Sequence, residues 1–301
     1  MSEQHDLPAP SDLSQARTYE RRFARVIEHV HDHLDEPLDL DQLADIAAMS
    51  RWHWHRVWQA CFGESVVAMV RRLRMQRAAT ALARGETDLD RLAREAGYGS
   101  LAAFTRAFRQ SYGLPPATYR DEGSHRRFDK DWTPPALTRP ADLGASPMHD
   151  IVIRQEPQRV LASIAHKGPY IEIGRAFELL IGSLASRGLM DKAGVMIGFY
   201  YSDPSVVPEQ ELRSAAAVEL RQDIAFSPPL ERIDAPAQRY AVLRHKGPYA
   251  DMKAAYDWLY GTWLPVSGHE PADAPVMEIY LNNPRDTAPS DLLTDICLPL
   301  K

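Results

Sequence analysis

Cysteine is scarce in this chain: Cys61 and Cys297 are the only two in 301 residues, and they lie far apart. That excludes a disulfide framework and fits two free thiols in a reducing compartment. Long apolar runs are missing too, since no stretch approaches the roughly 20 residues needed to span a bilayer. The opening "MSEQHDLPAP" is polar and acidic and lacks the basic-then-apolar layout of a signal peptide. No membrane partner is expected, and the chain reads as cytoplasmic. There is no Gly-rich phosphate loop, no Ser/His/Asp set, and no His grouped with Cys or carboxylates at zinc-like spacing. Catalytic residues, cofactors and metals are therefore not assigned.

Lysine is absent from residues 46–120, where twelve Arg face five acidic residues. The net charge of −6 hides this block, because residues 1–45 carry four Arg against eleven acids and residues 128–301 carry 17 basic against 23 acidic residues. A basic segment whose only cation is Arg suits bidentate contact with phosphate and guanine.

That segment contains a repeat. Leu40, Leu43, Ala44 and Ala47 recur as Leu89, Leu92, Ala93 and Ala96. After one extra residue, Ser50, Arg56, Trp58 and Gly63 recur as Ser100, Arg106, Phe108 and Gly113. Each copy reads as a short helix, a tight turn and a second helix, with Ser50 and Ser100 as N-caps and Gly63 and Gly113 as terminators. A helix-turn-helix is this pattern, and its second helix enters a major groove. Between the copies, residues 65–84 read as one amphipathic helix of about 30 Å. That is close to the roughly 34 Å between successive major-groove faces, so one monomer could reach two grooves.

Residues 20–120 resemble the DNA-binding domain of the AraC/XylS regulators, through Gly97-Tyr98-x-Ser100, Phe104-x-Arg106-x-Phe108, Gly113-x-x-Pro116-x-x-Tyr119-Arg120 and the first-copy pattern Ser50, Arg56, Phe62-Gly63. The resemblance implies a DNA face made of Arg51, Trp52, His55 and Arg56 in the first unit and Ala102, Ala103, Thr105 and Arg106 in the second. Arg paired with guanine is the commonest specific contact. Because Leu101-Ala102-Ala103 offers few hydrogen-bonding groups, the first unit is expected to carry most of the sequence preference, with the second holding phosphates or sensing shape. Promoter DNA is the expected partner, with RNA polymerase implied by the family.

Residues 1–19 read as an acidic arm and residues 121–149, with four Pro and no apolar period, as a linker. Beyond it a second duplication begins. The stretch "HKGPY" occurs at His166–Tyr170 and again at His245–Tyr249, inside longer segments that align at an offset of 79 and later 80. Each copy, about 150–227 and 228–301, reads as two strands, a helix and two strands. HKGPY is then a strand-to-helix turn, with Gly for an unusual backbone angle and Pro to begin the helix. The fold class is multidomain: an all-α double helix-turn-helix followed by an α+β domain of two duplicated strand-helix-strand units with antiparallel sheets.

The duplicated H-x-G-x-Y turn and the Glu-x-Tyr strand before an Asn-Pro turn make residues 150–301 similar to the GyrI-like effector-binding domain. Glu278 falls where the first copy has Gly198, on a strand expected to be buried, and it matches the family's binding glutamate. A buried carboxylate needs a raised pKa or a cation. The cation is a ligand or, on the structural reading, Lys167 or Lys246. Gly198, lacking a side chain, is expected to leave room for that ligand. Tyr170, Tyr249, Tyr280, Trp258 and Trp263 offer faces for a lipophilic cation, although Trp258 also fits plain packing on the sheet. The resemblance thus implies a DNA-binding transcription regulator responding to a small, lipophilic or cationic effector, with domain order matching the multidrug and stress-response activators. The alternative is a hydrolase of small electrophiles, using Glu278 as general base and Tyr249 or Tyr280 as donor.

Overall fold

In the computed structural model, residues 10–122, 149–221 and 226–301 are described. The expected linker lies outside them apart from its two ends. The N-terminal part is helical: α1 (Pro10–Asp32), α2 (Leu40–Ala47), α3 (Trp54–Phe62), α4 (Val66–Ala83), α5 (Leu89–Glu95), α6 (Leu101–Tyr112) and α7 (Pro116–Glu122). The segment expected as an arm through residue 19 is helical from Pro10, as part of α1. The pairs α2–α3 and α5–α6 are the two repeated units. Gly63 and Gly113, at φ 72° and 76°, end α3 and α6 in the left-handed conformation, which glycine adopts without a Cβ penalty.

The caps differ between the units. Ser100 caps α6 by accepting from the Ala103 amide at 3.2 Å. Ser50 does not cap α3, which begins four residues later. Its hydroxyl accepts from the Trp52 amide at 3.3 Å and donates to Asp273 at 3.1 Å, so the second half of the chain has claimed it.

Helix α4, N-capped by Ser65, rises about 27 Å by its 18 residues. Its apolar positions do not form one stripe. Val66, Met69 and Val70 enter one core with Trp54 and Trp58, whereas Met75, Ala78, Ala79 and Leu82 enter another with Phe104 and Phe108. Successive turns thus serve two different units.

The C-terminal part contains β1 (Ile151–Glu156), β2 (Arg159–Lys167), α8 (Gly174–Ser186), β3 (Ala193–Tyr200) and β4 (Arg213–Leu220). The second copy follows as β5 (Glu231–Ala235), β6 (Gln238–Lys246), α9 (Met252–Trp258), β7 (Val276–Tyr280) and β8 (Leu293–Leu300). Each HKGPY turn places its glycine at positive φ, 129° at Gly168 and 135° at Gly247. The two glycine amides donate to Leu212 and Leu292 at 2.9 Å, equivalent positions in the two copies. After α9 the chain continues through a π-helical turn, Leu259–Trp263.

The eight strands form one continuous sheet. Its antiparallel order is β1-β6-β8-β7-β3-β4-β2-β5. Each copy lends its first strand to the other, β1 pairing with β6 and β5 with β2. The order reads the same from either end under exchange of the copies, which puts the pseudo-twofold between β3 and β7. There Gly198 lies directly opposite Glu278.

The core decides how the two halves meet. Tyr19, Phe23, Trp54, Trp58 and Val66 share one buried cluster with Leu243, Met252, Leu259, Tyr260 and Ile296. The first helix-turn-helix unit is therefore packed onto the second copy of the α+β domain, while the second unit has its own core.

Candidate functional site

At the sheet centre, strand alternation sends Met277 and Ile279 to one face and Glu278 with Tyr280 to the other. Met277 and Ile279 join the apolar cluster of the first face. Glu278 opens instead into a cavity of about 1490 Å³. The cavity is walled by residues at the ends of α3 and α4 on one side, α8 and α9 on others, and the β3–β7 junction as its floor.

Glu278 is 5% exposed, and a ring of phenols holds it. Tyr256 donates to Oε1 at 2.8 Å and Tyr280 to Oε2 at 2.9 Å. Tyr200 stands 2.7 Å from the Tyr280 oxygen and can donate to it. Burial pushes the Glu278 pKa up, and the hydrogen bonds from Tyr256 and Tyr280, with Tyr200 behind Tyr280 and the field of Arg56, only partly offset this. The expected lysine partners play no such role: Lys246 pairs with Asp291 at 2.9 Å on the surface, and Lys167 is exposed.

The ring is nearly two-fold symmetric, for a reason readable in the repeat. Tyr170 and Tyr249 are equivalent, as are Tyr200 and Tyr280, and Phe177 and Tyr256. Tyr170 packs edge-on to Tyr200 at 4.8 Å, Tyr249 to Tyr280 at 5.6 Å, and Phe177 to Tyr280 at 5.4 Å. Only the second copy adds polarity, through Glu278 and the Tyr256 hydroxyl that binds it. Gly198 was expected to leave room for a ligand, but the phenols fill that room. A Cβ there would lie 2.9 Å from the Tyr280 oxygen and 3.0 Å from a Tyr200 ring carbon.

Of the residues expected at the effector site, Tyr170, Tyr249, Glu278 and Tyr280 line the cavity. Trp258 and Trp263 do not, because both are half-buried against the cluster shared with the helical half. Trp258 packs against His149, with centroids 5.3 Å apart, and Trp263 stacks on His269 at 5.9 Å. Sequence reasoning missed Tyr200, Tyr256, Tyr260 and Phe177. The i, i+4 spacing of Tyr256 and Tyr260 put them on one helix face, and that was the available signal.

The expected DNA face of the first unit needs the largest correction. Arg51 is exposed and rests over the Trp52 ring at 4.9 Å, and Trp52 lies 6.2 Å from Tyr201. His55 is buried, at 9% exposure. Arg56 points into the cavity, its guanidinium 5.1 Å from the Tyr256 ring centroid and 5.5 Å from that of Tyr260. Burial opposes its charge, but the Tyr260 and Tyr256 phenols and Asp203 outweigh burial and raise its pKa.

The physical reason is that α3 lies on the π-helical turn. Gly261 permits the approach, since a Cβ there would come within 2.8 Å of the Ala60 Cβ. His53 fixes the register: Nε2 donates to the Ala274 carbonyl at 2.9 Å, which leaves Nδ1 to accept from the Tyr260 hydroxyl at 2.8 Å. Arg22 adds an ion pair to Glu270 at 2.6 Å. In the second unit, Ala102 and Arg106 are exposed and Ala103 and Thr105 half-buried, so that face is open.

The chain thus joins a duplicated α+β sheet, with a carboxylate at its pseudo-twofold, to paired helix-turn-helix units. The model of the GyrI-like small molecule binding domain matches residues 149–301, about half the chain, and the chain belongs to that family. A helix-turn-helix domain model matches residues 43–122, and this part is of the AraC type. Among curated proteins, the HTH-type transcriptional regulator YbfP of Bacillus subtilis (strain 168) is 31% identical over 102 residues, 34% of this chain and 35% of that protein. The right origin-binding protein of Escherichia coli (strain K12) is 30% identical over 126 residues, 41% of each chain. The chain thus spans well under two thirds of the length of these relatives. Among solved structures, the EcmrR C-terminal domain aligns with TM-score 0.43 and 16% identity, over 51% of this chain and 98% of that one.

Proposed function

We propose that the chain is a sequence-specific transcription regulator that binds promoter DNA through its helix-turn-helix units and answers to a small lipophilic cation held in the cavity. The observation that carries this reading is Glu278: a carboxylate enclosed by Tyr256, Tyr280 and Tyr200 at the base of a large, aromatic-walled space. Aromatic faces and a carboxylate in a desolvated site favour a cation with apolar substituents over a neutral or anionic ligand. Action at promoters implies a cytoplasmic location and RNA polymerase as a further partner.

On the DNA side, the open face of α6 makes the first contacts, with Arg106 as its charged reader. The test is selection of bound sequences from a random duplex pool by the full chain, with and without a lipophilic cation, beside Glu278→Gln and Arg106→Ala. The expected outcome is an enriched site whose occupancy changes with the cation in the wild type and not in Glu278→Gln, and whose enrichment falls in Arg106→Ala. Absence of any enriched sequence would remove the regulator reading. Turnover of an electrophilic compound that disappears in Glu278→Gln would replace it with a hydrolase.

A further inference from the structure

Resting on the ligand reading above, we infer that Arg56 is the cavity's own cation: its guanidinium occupies the place of the ligand's charge, and an incoming lipophilic cation displaces it together with the recognition helix that carries it. The first support is where Arg56 sits. It belongs to α3, yet it lies over the rings of Tyr256 and Tyr260 in the cavity that holds Glu278. Tyr256 is shared, since its ring faces Arg56 while its hydroxyl donates to Glu278. A ligand cation seated on that ring and drawn to that carboxylate competes for the same two partners.

The second support is how loosely Arg56 is held. Nη2 lies 3.4 Å from the Ser202 carbonyl, at the outer limit of a hydrogen bond, the Tyr260 hydroxyl that also faces the guanidinium is already engaged by His53, and buried Nη1 has no hydrogen-bond partner among the described residues. No carboxylate makes an ion pair with it among those residues. A buried charge is usually held by a short bidentate pair. This one is held by ring faces and by the fields of Asp203 and Glu278, which a ligand cation can satisfy equally well. Two cations sharing a low-dielectric cavity repel strongly, so their occupancies exclude each other.

The third support is what moves with Arg56. While α3 packs against the π-helical turn at Gly261 and is bonded through His53, it cannot also enter a major groove. Expelling Arg56 removes one attachment of this docked state and biases the first unit towards release. By linkage, DNA that captures the released helix raises the cavity's affinity for the cation by the same factor.

The experiment is calorimetric titration of the full chain with tetraphenylphosphonium and with tetraphenylborate, its near-isosteric anion. The proteins are wild type, Arg56→Met, Gly261→Val and Glu278→Gln, and amide exchange is followed in α3. Arg56→Met removes the competing charge while keeping much of the apolar volume. Gly261→Val forces α3 off its seat without altering a cavity side chain. Both are expected to bind the phosphonium at least about tenfold more tightly, a lower bound because two unit charges in contact near a protein surface repel by more than this. In the wild type the phosphonium is expected to speed exchange in α3, and in Glu278→Gln binding is lost. Phosphonium binding that depends on Glu278 but is unchanged or weaker in both Arg56→Met and Gly261→Val overturns the inference while the ligand site stands. Preference of the wild type for the borate, lost in Arg56→Met, overturns it by making Arg56 an anion anchor. No binding of either ion by any of the four proteins removes the ligand reading and the inference with it. Should Arg56→Met fail to fold, Gly261→Val decides by the same criterion.

Discussion

Acid should loosen the attachment of the first helix-turn-helix unit through one residue, His53. Its imidazole is 1% exposed, with one nitrogen donating to Ala274 and the other accepting from Tyr260, so only the neutral ring fits. Burial, reinforced by the nearby Arg56 charge, pushes its pKa down from 6.5 to about 3. Between these values the unfolded chain binds a proton at His53 that the folded chain does not, so stability rises with pH through that window and falls on acidification. At pH 7.5 the effect is nearly absent. At pH 5.5 the unfolded imidazole is about ten-to-one protonated, which costs the folded state about 1.4 kcal/mol. The groups facing His53 do not confuse the measurement: the Tyr260 phenol is pushed up to about 12, and Arg56 keeps its charge throughout.

The assay is urea unfolding followed by tryptophan fluorescence at pH 7.5 and 5.5, because Trp54 and Trp58 are fully buried in the core that the two halves share. His53→Gln is the reference, since Gln offers one donor and one acceptor but does not titrate. His55, held near pKa 4 mainly by burial, contributes in the same sense in both proteins and cancels. The wild type should lose about 1.4 kcal/mol more than the variant between the two pH values. Parallel losses would refute the neutral, doubly bonded histidine and the packing inferred from it.

Gly198→Ala should destabilise the sheet centre by about 1–3 kcal/mol, the usual cost of overpacking, because the new Cβ meets Tyr280 and Tyr200 at about 3 Å. An unchanged urea midpoint would show that the phenols yield freely. Tyr256→Phe removes one of the two direct donors to a buried carboxylate and should raise the Glu278 pKa further, readable as a carboxyl band persisting to higher pH in infrared difference spectra against Glu278→Gln. No shift of that band would mean that Tyr280 and Tyr200 alone set its protonation.

The residues expected to face DNA in the first unit are those that the family resemblance implies, and the repeat that carries the resemblance is visible in the structure. Gly63 and Gly113 end their helices at positive φ, and Trp58 and Phe108 are fully buried at equivalent places. Arg56 and Arg106 are equally equivalent in sequence. One faces a cavity and the other solvent, because among the described residues the core shared with the α+β domain takes in the first unit and not the second.

The sequence by itself determined whatever repeats locally: both duplications, the HKGPY turns with their left-handed glycines, and the asymmetry that puts Glu278 in one copy where the other has Gly198. These depend on backbone angles and on periodicities of two or 3.6 residues, which a short segment encodes alone. Tertiary structure decided the rest. The pairing of β3 with β7 joined the two copies into one sheet, the phenols of both copies closed around one carboxylate, and His53 met Tyr260 and Ala274 more than 200 residues away. None of these has a local signature. A side chain's dielectric surroundings, and hence whether a guanidinium serves DNA or a cavity, are set by what packs against it from elsewhere in the chain.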